Sequence, residues 1–169
     1  GVLSRAGVRG GRVSTEWMTA AEVTAASLLA TARHEAGHAV MAIALGCTVL
    51  RAGVHPSGDG FCVTTHGRGR RRDPMMDGMI AWAGTIAEGV DDGSIGAEDH
   101  GLMRSYGFRP SSVSTLRGMA VRCFREWDLE PAVAAVAALL AADVGGIVKG
   151  AAIRACALRA QPSLASRSA

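Results

Sequence analysis

Apolar positions first settle into a helical texture at Ala20. From there to Leu45 the chain reads AAEVTAASLLATARHEAGHAVMAIAL, rich in Ala and Leu. Thr19 and Glu22, three residues apart, make a capping-box pattern at its start, and Gly46 supplies a C-terminal stop, which predicts a helix over 20–45. The texture then changes. TVLRAGVH and GFCVTTH are short β-prone runs joined by PSGDG, predicting a hairpin between Cys47 and His66. Asp73 and Pro74 form an N-cap and first-turn pair for a helix to Glu88. Ser94 can cap a short helix through Ala97, Asp99, Leu102 and Met103 toward Tyr106. Three more helical stretches follow, SSVSTLRGMAVRCFREW, EPAVAAVAALLAAD and GGIVKGAAIRACALRA, separated by Asp128 and by Gly145-Gly146. The expected fold is mainly α within the α+β class, with a small β-hairpin or sheet beside the long first helix.

Composition bounds this picture. A chain of 169 residues with 49% hydrophobic content builds one compact domain, expected over 19–160. Residues 1–18, Arg- and Gly-rich, read as a flexible N-terminal arm, and residues 161–169 as a polar, frayed C-terminal tail. Aromatics make up only 4%, so the core has to be assembled from small aliphatic side chains, as in closely packed helices. The most apolar runs, Ala36–Cys47 and Pro131–Ala142, fall short of the roughly 20 residues of a membrane span, so no membrane segment is expected. Cys47, Cys62, Cys123 and Cys156 show no CxxC spacing, which suits free thiols in a reducing, cytoplasmic setting. The net charge of +3 is scattered apart from Arg68, Arg70, Arg71 and Arg72. Without interleaved aromatics to stack on bases, that basic link is read as solvated, and no nucleic-acid partner is expected.

The candidate chemistry lies in the second half of the first helix. His34 and His38 are four residues apart, which places them about 40° apart on one helical face, one turn along the axis. Both imidazoles can reach a common ion, and Glu35, rotated aside, can touch a water on that ion. Two histidines make too open a site alone, so a third ligand must come from elsewhere. His55, His66, His100, Glu98 and Asp99 all qualify by residue type, and composition does not choose among them.

The order of motifs resembles the peptidase domain of the FtsH family of ATP-dependent zinc proteases over about residues 20–127. HEAGHAVMAIALG (34–46) is close to that family's motif helix. PSGDGFCVTT resembles its two strands and turn, AGTIAEGV (83–90) its Gly-Gly-Arg-x-Ala-Glu-Glu helix, and GSIGAEDHGLM its Thr-Gly-Ala-x-x-Asp-Leu segment. The resemblance implies a helical, zincin-like peptidase domain that holds Zn2+ through His34, His38 and Asp99. A strict Gly-Ala alignment would put His100 in the place of Asp99. Glu88 matches the first acid of Ala-Glu-Glu, while Gly89 replaces the second.

With Zn2+ so held, a bound water is expected to acidify toward a pKa of about 7, and Glu35 to act as general base in peptide hydrolysis. His55 and His66 are candidate oxyanion donors, and GFCVTTH offers an edge strand to an extended substrate. The expected activity is that of a zinc metalloendopeptidase acting on unfolded or flexible polypeptide segments. The alternative is a catalytically inactive, metal-binding regulatory relative acting through protein partners. The sequence contains no GxxxxGK[ST] phosphate loop, so ATP-driven unfolding is expected only from a separate ATPase or adaptor. The family's hexameric rings imply a possible homo-oligomer.

Overall fold

The computed structural model describes residues 3–9, 12–18, 20–66, 73–89, 99, 101, 103–104 and 107–167. Helix α1 (Ala20–Ala44) is its axis. Its N-terminal part is largely exposed, but Ala39, Val40, Met41, Ala42, Ile43 and Ala44 are all buried. A helix buried on every side has protein around its whole circumference, and α1 ends in that way. Gly46 stops it in the left-handed region, at φ 76°. The amide of Cys47 donates to the Ala42 carbonyl at 2.8 Å and that of Gly46 to Ile43 at 3.0 Å, a pairing that satisfies two otherwise orphaned carbonyls. The capping pair expected at the other end, Thr19 and Glu22, falls on a residue and a side chain outside the described set.

The chain then turns into β3 (Thr48–Val54) and β4 (Gly60–Thr65), which pair antiparallel across the Pro56–Asp59 turn. A third strand, β5 (Val148–Lys149), adds to the far side of β3, giving the order β4-β3-β5. Upstream, β1 (Leu3–Arg9) and β2 (Arg12–Met18) pair as a separate antiparallel ribbon in the segment read from sequence as an arm. The small sheet beside a mainly helical body agrees with the α+β expectation.

Helix α2 (Pro74–Glu88) runs antiparallel to α1 and packs on it closely. Asp73 caps it by accepting from the Met75 amide at 2.9 Å. Helix α3 (Pro110–Glu126) lies on α2, where Trp82 Nε1 donates to the Val113 carbonyl at 3.1 Å. Helix α4 (Glu130–Ala141) closes the other side of α1 with Val133, Val136 and Leu140 fully buried, each contributing roughly 1.5–3 kcal/mol of transfer free energy. Helix α5 (Gly150–Ala160) follows β5, and α6 (Leu164–Arg167) ends the described chain.

Two expectations are corrected. The helix expected from Gly145 begins only at Gly150, because Val148 and Lys149 pair with Ala52 and Arg51 of β3. The polar tail is not frayed at Leu164, which is fully buried, while Gln161 Nε2 donates to the Trp127 carbonyl at 3.2 Å. Of the short helix expected between Ser94 and Tyr106, Asp99, Gly101, Met103 and Arg104 are described and helical. The Arg68–Arg72 link and the Ser94 cap lie outside the described residues. Among the described residues, no helix is long and apolar enough to cross a membrane.

Candidate metal centre

Where α1 and α2 cross, backbone meets backbone. Any Cβ on Gly37 would collide with the Ala83 carbonyl oxygen and come within 2.7 Å of the Ala87 methyl. On the opposite helix, a Cβ on Gly84 would sit 2.6 Å from His34 Nε2 and 2.7 Å from His38 Cε1. These two glycines let α2 press against α1 at the level of the motif, and Gly84 leaves room for both imidazoles. Arg33 reinforces the crossing by donating from Nε to the Ala87 carbonyl at 2.9 Å.

The structure brings His34, His38 and Asp99 together: one ligand atom from each lies within 4.8 Å of the others. Asp99 Oδ2 is 3.2 Å from His34 Nε2 and 3.5 Å from His38 Nε2. Ligands at zinc distances in a tetrahedron are separated by about 3.3–3.5 Å, so these spacings match two edges of a coordination polyhedron. The imidazole planes stand nearly perpendicular, at 84°, with centroids 4.6 Å apart.

Both rings are held from behind. His38 Nδ1 faces the Ile80 carbonyl at 2.6 Å; a carbonyl only accepts, so Nδ1 carries the hydrogen and Nε2 keeps its lone pair for the centre. His34 Nδ1 faces Glu88 Oε2 at 3.3 Å, which orients that ring in the same sense. On the front side, Asp99 Oδ2 is buried and has no well-aligned hydrogen-bond partner among the described residues, although both Nε2 atoms are near. A buried carboxylate oxygen without a well-aligned partner is costly, and a cation shared with the two ring nitrogens would satisfy it.

The charge balance points the same way. Burial pulls the His34 imidazole down, but Asp99, Glu88 and Glu35 outweigh it and push it up to about 9. His38 is pushed below its ordinary value by burial. The cluster thus gathers carboxylate charge around a position that attracts a cation. Glu35 is buried, with its carboxylate against Gly60 of β4 and its charge felt at His34. That charge and, more strongly, burial push the neighbouring Cys62 thiol well above its usual value.

The remaining candidates go elsewhere. His55 lies in the exposed turn, bonded to Ser57 Oγ at 2.8 Å. His66 bonds Asp77 Oδ1 at 2.9 Å, about two turns along α2 from Gly84. His100 and Glu98 lie outside the described residues. Sequence reasoning missed Gly84 and the Ile80 carbonyl. The small residues of AGTIAEG hint at the first, but a backbone carbonyl leaves no sequence signal.

A motif helix with two imidazoles, a carboxylate from a distant segment and an acid beside them is the donor set of a zinc-hydrolase type of centre. Residues 15–90 match the Peptidase M50B-like family, which relates the chain to zinc metallopeptidases. The matched stretch contains His34, Glu35, His38 and Glu88 and stops short of Asp99. The chain has no match among the curated proteins or among the solved structures.

Proposed function

We propose that this chain is a zinc metallopeptidase that cleaves unfolded or flexible polypeptide segments, with His34, His38 and Asp99 as metal ligands and Glu35 as general base. The observation that carries the reading is the convergence of three ligand atoms from two distant segments on one buried point, with the back nitrogens of both histidines facing acceptors. Held by His34, His38 and Asp99, zinc would supply Lewis acidity, which brings the pKa of water toward about 7. Glu35, one residue from a ligand and buried beside it, takes the proton of the attacking water and returns it to the leaving amine. Glu88 and the Ile80 carbonyl keep the two imidazoles in their working tautomer.

Strand β4 has no partner on its outer side among the described residues, and its first residue, Gly60, touches Glu35. An extended peptide adding to that edge by main-chain hydrogen bonds would pass the general base, and such binding is tolerant of side-chain sequence. The order of motifs over residues 20–127 supports an FtsH-type arrangement of HExxH helix, hairpin and Asp99 segment. A separate ATPase or adaptor that delivers unfolded chains, self-association and a cytoplasmic setting belong to the same reading.

The test pairs metal content with cleavage. Wild-type protein should carry about one zinc per chain and digest an unfolded substrate such as casein. Glu35→Gln should retain the zinc and lose cleavage by about 10²-fold or more. Protein that binds no zinc, or cleavage that survives Glu35→Gln, overturns the proposal. Zinc retention in a wild-type protein with no cleavage at all would favour a regulatory metal-binding relative instead.

A further inference from the structure

At the other end of the α1–α2 pair a second cluster of chemical groups lies outside the metal centre. Cys47, just past the end of α1, places Sγ 3.8 Å from His66 Nδ1. His66 Nε2 is 2.9 Å from Asp77 Oδ1 in the first turn of α2. The side chains of His66 and Asp77 are largely buried, at 14% and 10% exposure. Asp77 Oδ1 serves as the acceptor, so Nε2 carries the ring hydrogen and Nδ1 presents its lone pair to the thiol. This is the order of nucleophile, base and orienting carboxylate that activates a thiol: the proton of Cys47 passes to Nδ1, and Asp77 steadies the resulting imidazolium. Both ring nitrogens are thereby used, which leaves none for an ion shared by all three residues.

Cys47 is itself buried, at 5% exposure, but it borders open space. It lines a cavity of about 390 Å³ whose wall also includes Thr48, Gly150 and Arg154. Cys62 offers an internal contrast: it lies close to an anion, Glu35, rather than a base, and is held protonated there. None of Cys47, Cys62, Cys123 and Cys156 forms a disulfide.

We propose that Cys47 is a base-activated thiol and a site of two-electron oxidation by small peroxides. The Cys47 sulfur attacks one peroxide oxygen, forming an S–O bond as the O–O bond breaks. The sulfur is oxidised to the sulfenic acid and the peroxide is reduced. The departing hydroxide takes the proton stored on His66 and leaves as water. The modified side chain then stands between the C-terminal end of α1 and the N-terminal turn of α2, the two helices whose crossing forms the metal centre.

The experiment treats the full-length chain with hydrogen peroxide in the presence of dimedone, which traps sulfenic acids, and maps the labelled cysteines by mass spectrometry. Cys47 should label at least about tenfold faster than Cys62 in the native protein. His66→Gln, which keeps a hydrogen-bonding side chain but cannot take the thiol proton, should slow Cys47 by about tenfold or more. Asp77→Asn should also slow it, by releasing the tautomer. Labelling of Cys47 no faster than Cys62 in wild type overturns the proposal, whatever the variants do. So does an unchanged Cys47 rate in a folded His66→Gln protein. The readout is independent of zinc and of peptide cleavage, so it stands or falls apart from the peptidase reading.

Discussion

The two ends of the antiparallel α1–α2 pair use histidine in opposite ways. At one end, His34 and His38 have their rear nitrogens facing Glu88 and the Ile80 carbonyl, so both front nitrogens lie beside the same buried carboxylate oxygen. At the other, His66 gives one nitrogen to Asp77 and the other to Cys47. The residue types overlap, His with Asp in each case. What separates the proposed metal cradle from the proposed thiol relay is which ring atoms the protein leaves unspent.

Breaking the first end should have the largest effect. His38→Ala removes a ligand outright and should reduce zinc affinity by more than the roughly 10–100-fold that loss of an outer partner costs, read by competition with a chromophoric chelator. His66→Ala should leave zinc content unchanged in the same assay, which sharpens the contrast between the ends.

Gly84→Val should come next. Its side chain would enter the space of both imidazoles, and overpacking of this kind costs about 1–3 kcal/mol of stability. A lowered melting temperature together with lost zinc is expected; normal zinc binding would mean that α2 does not set the position of the rings. Glu88→Gln keeps the shape but removes the charge, so its effect should fall within the 10–100-fold range and leave the fold intact.

The pH dependence carries a sign. In the metal-free protein the His34 pKa stands at about 9 against 6.5 for an unperturbed imidazole. A raised folded pKa contributes stability that is complete below 6.5 and disappears as pH climbs through about 9. Zinc needs the neutral ring, so its binding at pH 7 should displace a proton from His34. The melting temperature of the metal-free protein should therefore fall between pH 6.5 and 9. Zinc affinity should rise by as much as about tenfold per pH unit over the same range. A flat zinc affinity across that interval would contradict the assignment of His34 as a ligand.

The smallest effect belongs to the start of α2, just before the turn that carries Asp77. Asp73→Ala removes the α2 N-cap and should cost about 0.5–2 kcal/mol in a chemical melt, with zinc binding preserved.

Much of this organisation is legible in the sequence where local chemistry decides it. Gly46 ends α1 because its left-handed conformation is nearly free for glycine, and Asp73-Pro74 starts α2 because both residues suit an N-terminus. The HExxH spacing places two imidazoles on one face without any tertiary information. What spacing could not supply was the third partner. Asp99, Glu98, His55, His66 and His100 stood equal by residue type, and only the family resemblance favoured Asp99, the residue the structure sets beside both rings. β5 escaped for a related reason: two residues carry no periodicity, and Val148 and Lys149 are a strand only because β3 lies beside them. Leu164 is a single apolar residue in a polar stretch, and its burial depends on a surface assembled from distant parts of the chain.

Gly37 sets the spacing of the two helices by close approach to the Ala83 main chain, while Gly84 opens the space that both imidazoles fill. A gap defined in that manner works like a machined gauge: it cannot be widened a little by a rotamer change. Softening the cradle, whether by heat or by substitution, thus means prising two helices apart, and the reach from His34 to Glu88 should persist until the body of the protein itself gives way.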